Sequence, residues 1–164
     1  MKRAITWLCL LILISSCAPK SVSPVSTSLP SIASEAQETL IKFFDLLNAK
    51  EYINADTFYG GDYEQLKIFS SDTDPADHAK LWSDACQHAG LQCLEVRSAT
   101  LKNQQRETYI FQVEFSNSDG SLFVLGPCCG SNETEMPPVS QFEYRVARNA
   151  DGKFLVMELP PYVP

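Results

Sequence analysis

No apolar run in this 164-residue sequence is long enough to cross a bilayer. The longest, Ala4 to Ile14, rises about 16 Å as a helix against a hydrocarbon core about 30 Å thick. Positive charge is scarce as well. Against 20 Asp and Glu stand 13 Lys and Arg, a formal net charge of −7. The basic stripe that phosphate neutralisation requires is missing, which argues against nucleic acid as a partner, and the acidic surface reads as solubilising. Histidine is limited to His78 and His88, which do not stand at the i, i+4 spacing of a zinc helix and read as surface side chains. There is no Gly-x-Ser-x-Gly elbow, phosphate loop or dinucleotide glycine pattern. No cofactor and no catalytic residue can be assigned.

What the chain does have begins at its start. Lys2 and Arg3 precede the apolar stretch, and the small residues Ser15 and Ser16 follow it, so residues 1–16 read as a secretory signal. Ile14-Ser15-Ser16-Cys17 resembles the lipobox of bacterial lipoprotein precursors. That resemblance implies cleavage before Cys17, acylation of Cys17 with palmitate-type chains, and a domain anchored to a bacterial membrane outside the cytoplasm. Several acyl chains, at about 0.8 kcal/mol per buried methylene, hold more firmly than one. Residues 17–33 are Ser- and Pro-rich without an apolar period and read as a tether reaching about 20 to 24 Å. Residues 34–164 form the expected single globular domain.

Of the six cysteines, Cys9 leaves with the signal and Cys17 takes lipid, so Cys86, Cys93, Cys128 and Cys129 remain. An even set in an exported protein reads as disulfides. Adjacent residues have Cα atoms about 3.8 Å apart, below the usual disulfide range of about 4.4 to 6.8 Å. The two crossed pairings are therefore expected, in which Cys128 and Cys129 each take one of Cys86 and Cys93. A four-thiolate zinc site is disfavoured, because Cys128-Cys129 lacks the gap that lets neighbouring ligands reach one tetrahedral ion. A structural staple is preferred to a redox role, since no Cys-x-x-Cys spacing or helix start is present.

Ser34-Glu35-Ala36-Gln37 fits a capping box and predicts a helix to about Lys50. Ala36, Leu40, Phe43, Phe44 and Leu47 form its apolar stripe. A short helix near Glu51 to Thr57 and a turn at Tyr59 to Asp62 should follow. Asp74-Pro75 predicts another start and Gly90 a stop, with Leu81, Trp82, Ala85, Cys86 and Ala89 on the buried side. The period then changes to two: Leu94 and Val96; Tyr109, Phe111, Val113 and Phe115; Phe142, Tyr144 and Val146 alternate with residues of the opposite face. Ser118 to Gly120 and Asn149 to Gly152 read as hairpin turns. An excursion from Gly126 to Pro138 carries the double cysteine. The fold class is α+β, N-terminal helices packed on an antiparallel sheet of about five strands.

Glu38 to Tyr52, with its paired phenylalanines and its Asn48-Ala49-Lys50-Glu51-Tyr52 exit, resembles the opening helix of nuclear transport factor two-like domains, and the later meander is similar to theirs. The resemblance implies a curved sheet around a cone-shaped cavity closed by the helices. It admits ketosteroid isomerase-like enzymes and polyketide cyclases as well as noncatalytic lipoproteins. An isomerase-type site needs an inward acid with a Tyr or second acid beside it. Asp56 and Tyr63 lie near the second helix, and Tyr52, Tyr59, Tyr109 and Tyr144 are the candidate pocket residues. The leading expectation is a noncatalytic binding module for a small apolar ligand or an envelope protein. A cone-fold isomerase, cyclase or hydrolase and a structural envelope component are the alternatives.

Overall fold

The computed structural model describes residues 31–164. The expected signal, Cys9, Cys17 and the expected tether up to residue 30 lie outside the described residues. Helix α1 (Ile32–Asn48) starts three residues earlier than expected, because Ser31 rather than Ser34 is its cap: the Ser31 hydroxyl oxygen accepts from the Ser34 amide at 3.2 Å. Its apolar stripe is buried as expected, with Leu46 added, while Glu35, Glu38, Lys42 and Asp45 stay exposed. The short α2 (Tyr52–Asp56) follows, then an unanticipated α3 (Glu64–Phe69). Helix α4 (His78–Gln87) begins later than Asp74-Pro75 suggested. Asp74 closes a turn by accepting from the Ala76 amide, and Asp77 caps the helix by accepting from Lys80 at 3.0 Å.

Four antiparallel strands run in the order β1-β2-β3-β4, as β1 (Glu95–Gln105), β2 (Thr108–Ser116), β3 (Phe142–Arg148) and β4 (Phe154–Val156). The α+β class stands, but the sheet is an uncurled meander of four strands, not a cone of five. Leu122 to Leu125, apolar enough to be a fifth strand, makes only single bridges, Ser116 with Leu122 and Leu125 with Val139. Gly126-Pro127 ends the run at once, and proline has no N–H to extend a ladder. The edge strand β1 is polar beyond Leu101 and bulged twice, which blunts its edge against further pairing.

On the buried face of the sheet, Tyr109, Phe111, Val113 and Phe115 of β2 and Tyr144 and Val146 of β3 are all within the core. Helix α1 lies against them. Phe44 meets Phe115 edge-on at 4.8 Å and Tyr144 at 5.0 Å, a geometry worth about 0.5 to 1.5 kcal/mol beyond area burial. Phe43 meets Trp82 of α4 at 5.6 Å and Tyr59 at 5.9 Å. The volume that a cone would leave open is filled by rings.

The crossed cysteine pairing is not formed. Cys86 is bonded to Cys93, with Cα atoms 5.6 Å apart, inside the usual range. Gly90 accounts for this. Its φ of +85° reverses the chain just past α4, a conformation open to glycine without steric cost. The Leu91 amide then bonds the Ala85 carbonyl at 3.1 Å, which returns Cys93 to the last turn of the helix. The C-terminal segment lies over this reversal, the Val163 amide donating to the Gly90 carbonyl at 2.9 Å and the Gln92 amide to that of Pro161 at 2.7 Å.

Candidate functional site

Among the described residues, polar chemistry and access to solvent meet at a knot around Asp56, at an open groove between α1 and β4, and on the arm that carries Cys128 and Cys129. The knot joins three segments distant in sequence. Asp56 closes α2, Tyr63 immediately precedes α3, and His78 and Trp82 sit one turn apart on α4. The Tyr63 hydroxyl and the Trp82 indole N–H, the latter at 3.2 Å, both donate to Asp56 Oδ1; His78 Nδ1 stands 3.3 Å from Oδ2. The His78 ring stacks on that of Tyr63 with centroids 3.8 Å apart.

This is an acid surrounded by donors. Both carboxylate oxygens have a polar neighbour within hydrogen-bond reach, whereas an isomerase base needs a lone pair free for a substrate proton. Behind Asp56 lies the Trp82 ring, fully buried among Phe43, Tyr59 and Tyr63. Burial first, and then the Asp56 carboxylate, push the Tyr63 phenol well above its ordinary value, so Tyr63 remains a proton donor. Asp56 and Tyr63 were anticipated as neighbours of the second helix. His78, expected as a surface side chain, has a link to Asp56 that the sequence does not show, because the two residues meet only when α2 packs on α4.

The four tyrosines expected to line a pocket do not converge. Each is buried and ties off its hydroxyl separately. Tyr52 accepts from Gln87 at 3.2 Å, Tyr59 donates to the Asp62 carbonyl at 2.9 Å, Tyr109 accepts from Gln104 at 3.1 Å, and Tyr144 donates to the Leu159 carbonyl at 3.2 Å. Burial is also the main cause of the raised pKa of Tyr59 and of Tyr144, with Glu158 acting in the same direction on both and Asp62 on Tyr59. These are core rings with a satisfied polar end.

The groove lies on the outer side of α1. Ile41, Phe58 and Phe154 supply its apolar floor, and Glu35, Glu38, Thr39, Lys42 and Asp45 its rim, around an open volume of about 580 Å³. Helical spacing places Glu35, Glu38, Lys42 and Asp45 on one face, so three carboxylates and a single amine border the floor.

On the arm between β2 and β3, Phe123 anchors the base by stacking on Phe142 at 5.8 Å, while Leu122, Val124 and Val139 are exposed. Cys128 and Cys129 occupy its tip in a turn closed by the Ser131 amide donating to the Cys128 carbonyl at 2.9 Å. Their sulfurs are 2.7 Å apart. Among the described residues, no group of three or more His, Cys, Asp or Glu side chains is arranged to hold a metal ion, and no helix is long and apolar enough to cross a membrane. No family model, no curated protein and no solved structure matches the chain.

Proposed function

We propose that this protein is a lipid-anchored, extracytoplasmic, noncatalytic module that docks a basic segment of an envelope protein on its outer surface. One observation carries the docking half: the interior is filled by Phe43, Phe44, Trp82 and the four tyrosines, while the α1/β4 groove offers an apolar floor and a mostly acidic rim together on the surface. Phe58 and Phe154 would take apolar side chains, and Glu35, Glu38 and Asp45 would select for Lys and Arg. The Ile14-to-Cys17 run supports the anchor, and the tether would let the domain reorient near the bilayer. The order of helices followed by a meander supports kinship with nuclear transport factor two-like domains in a form whose sheet does not close a cone.

Docking is tested with a photo-crosslinking residue at Thr39 in living cells. A discrete adduct that disappears when Glu35 and Glu38 are both changed to Lys is the expected result. Labelling at Thr39 no stronger than at Gln104 on the exposed stretch of β1 would count against it. The anchor is tested by fatty-acid labelling, which should be abolished in Cys17→Ser.

A further inference from the structure

We propose that Cys128 and Cys129 form a dithiol–disulfide exchange site, which passes two electrons to a small accessible disulfide and closes a bond between the two neighbouring sulfurs. Once Cys86 and Cys93 have paired, these two are the free cysteines among the described residues. The turn at the tip of the arm already brings them together. Cys129 has a left-handed φ of +62° and Gly130 one of +92°, and in this bend the side chains of the adjacent residues point to the same side, sulfur against sulfur at 2.7 Å.

The two positions divide the work. Cys129 is exposed and Cys128 half-buried. The hydrogen bond to the Cys129 sulfur is the largest influence on the Cys128 thiol and raises its pKa, so Cys128 keeps its proton while Cys129 meets the incoming disulfide. The Cys129 thiolate attacks one sulfur of R–S–S–R, the S–S bond breaks, and the departing thiolate takes up the proton that Cys129 lost. Cys128 then loses its proton and attacks Cys129 Sγ. A second thiolate leaves and is protonated in turn. Two protein thiols are oxidised to one disulfide, and one R–S–S–R is reduced to two R–SH.

Reversal is built into the spacing. The peptide link already holds the Cα atoms of adjacent residues about 3.8 Å apart, below the relaxed disulfide range, so a bond between their sulfurs is strained, and strained, exposed disulfides are the labile ones. The residues that follow the pair, Ser131, Asn132 and Glu133, are exposed and polar, which favours a small hydrophilic disulfide as co-reactant. The chemistry itself is independent of the cellular address; its operation in an oxidising compartment rests on the extracytoplasmic reading above.

The test uses the whole chain in detergent, equilibrated in glutathione buffers of graded poise, then alkylated and digested with trypsin. Cleavage after Lys80, Arg97, Arg106 and Arg145 leaves each cysteine pair within its own peptide. Oxidised glutathione should close Cys128 to Cys129, and this bond should reopen at a glutathione ratio at least about tenfold more oxidising than the one that opens Cys86–Cys93. Cys128→Ser should stall with glutathione retained on Cys129. The proposal is overturned if both sulfurs end as glutathione adducts, if the two peptides become cross-linked, if chains dimerise through the arm, or if both bonds open together. Because every readout is made on purified protein, failure here leaves the fatty-acid labelling result untouched.

Discussion

The two cysteine pairs sit in opposite surroundings. Cys86 and Cys93 join the end of α4 to the segment entering β1, packed against the core, and the C-terminal segment lies over the Gly90 reversal between them. Cys128 and Cys129 sit at the tip of an arm held at its base by Phe123 and bordered by exposed polar residues. Sulfur chemistry is the same in both places, but one pair is embedded in a body that determines its geometry and the other depends on its own turn. A bond in the first place stabilises the fold; a bond in the second can open without disturbing it.

The largest expected effect tests whether the body is as tightly packed as this contrast requires. Trp82→Ala removes a fully buried ring from contact with Phe43, Tyr59 and Tyr63 and takes a donor from Asp56. Urea unfolding should show a loss of about 3 to 5 kcal/mol, whereas Val124→Ser on the arm should stay within about 0.5 kcal/mol. Equal losses would mean that arm and body unfold as one packed unit. Next in size is removal of each bond in turn. Changing Cys86 and Cys93 together to Ser should cost about 2.5 kcal/mol in the chain-entropy view, and the same change at Cys128 and Cys129 about 0.5 kcal/mol or less. Gly90→Ala follows, at about 1 to 3 kcal/mol. A Cβ there would stand 2.1 Å from the Val163 carbonyl oxygen, with φ at +85°, so the melting temperature should fall and the C-terminal segment should become accessible to carboxypeptidase.

The same division shows where the fold was readable in the sequence. Helix α1 was legible because the stripe from Ala36 to Leu47 is continuous and nearly every stripe residue is buried. The turns at Gly120 and Gly152 were legible because glycine advertises their positive φ. The turn between β1 and β2 was hidden: Arg106 holds the left-handed position at φ 54°, without the Gly or Asn that usually marks it. Helix α3 has six residues, too few to show a period. The start of α4 was ambiguous because Asp74 and Asp77 both offer a cap, and only the Lys80 amide decides between them. The disulfide was misread for another reason. Strain between adjacent cysteines is a property of the chain, but the proximity of Cys86 to Cys93 depends on Gly90 reversing the backbone and Leu91 packing behind α4. Of the candidate site, Asp56 and Tyr63 could be picked out by type and position, whereas His78 joins them only through tertiary packing.

The smallest effect probes the knot that ties α2 to α4 within the body. Tyr63→Phe keeps the ring stacked on His78 but removes the donor to Asp56 Oδ1, and at neutral pH should cost about 1 kcal/mol. Its signature lies in alkali. In the unfolded chain the Tyr63 phenol ionises near its ordinary value of 10.0, whereas in the folded protein burial, with Asp56 beside it, holds the proton to higher pH. Above that value the folded state binds more protons than the unfolded one, so unfolding free energy falls as pH rises. The contribution is fully present below the unfolded value and is lost as pH climbs toward the folded one. Tyr59 and Tyr144, raised mainly by burial, act in the same sense. Tyr63→Phe should therefore lose stability less steeply than the parent between about pH 9.5 and about pH 11, measured as the urea midpoint at each pH. Parallel curves would show that Tyr63 ionises in the folded protein as readily as in the unfolded chain, and that the knot opens as easily as the arm.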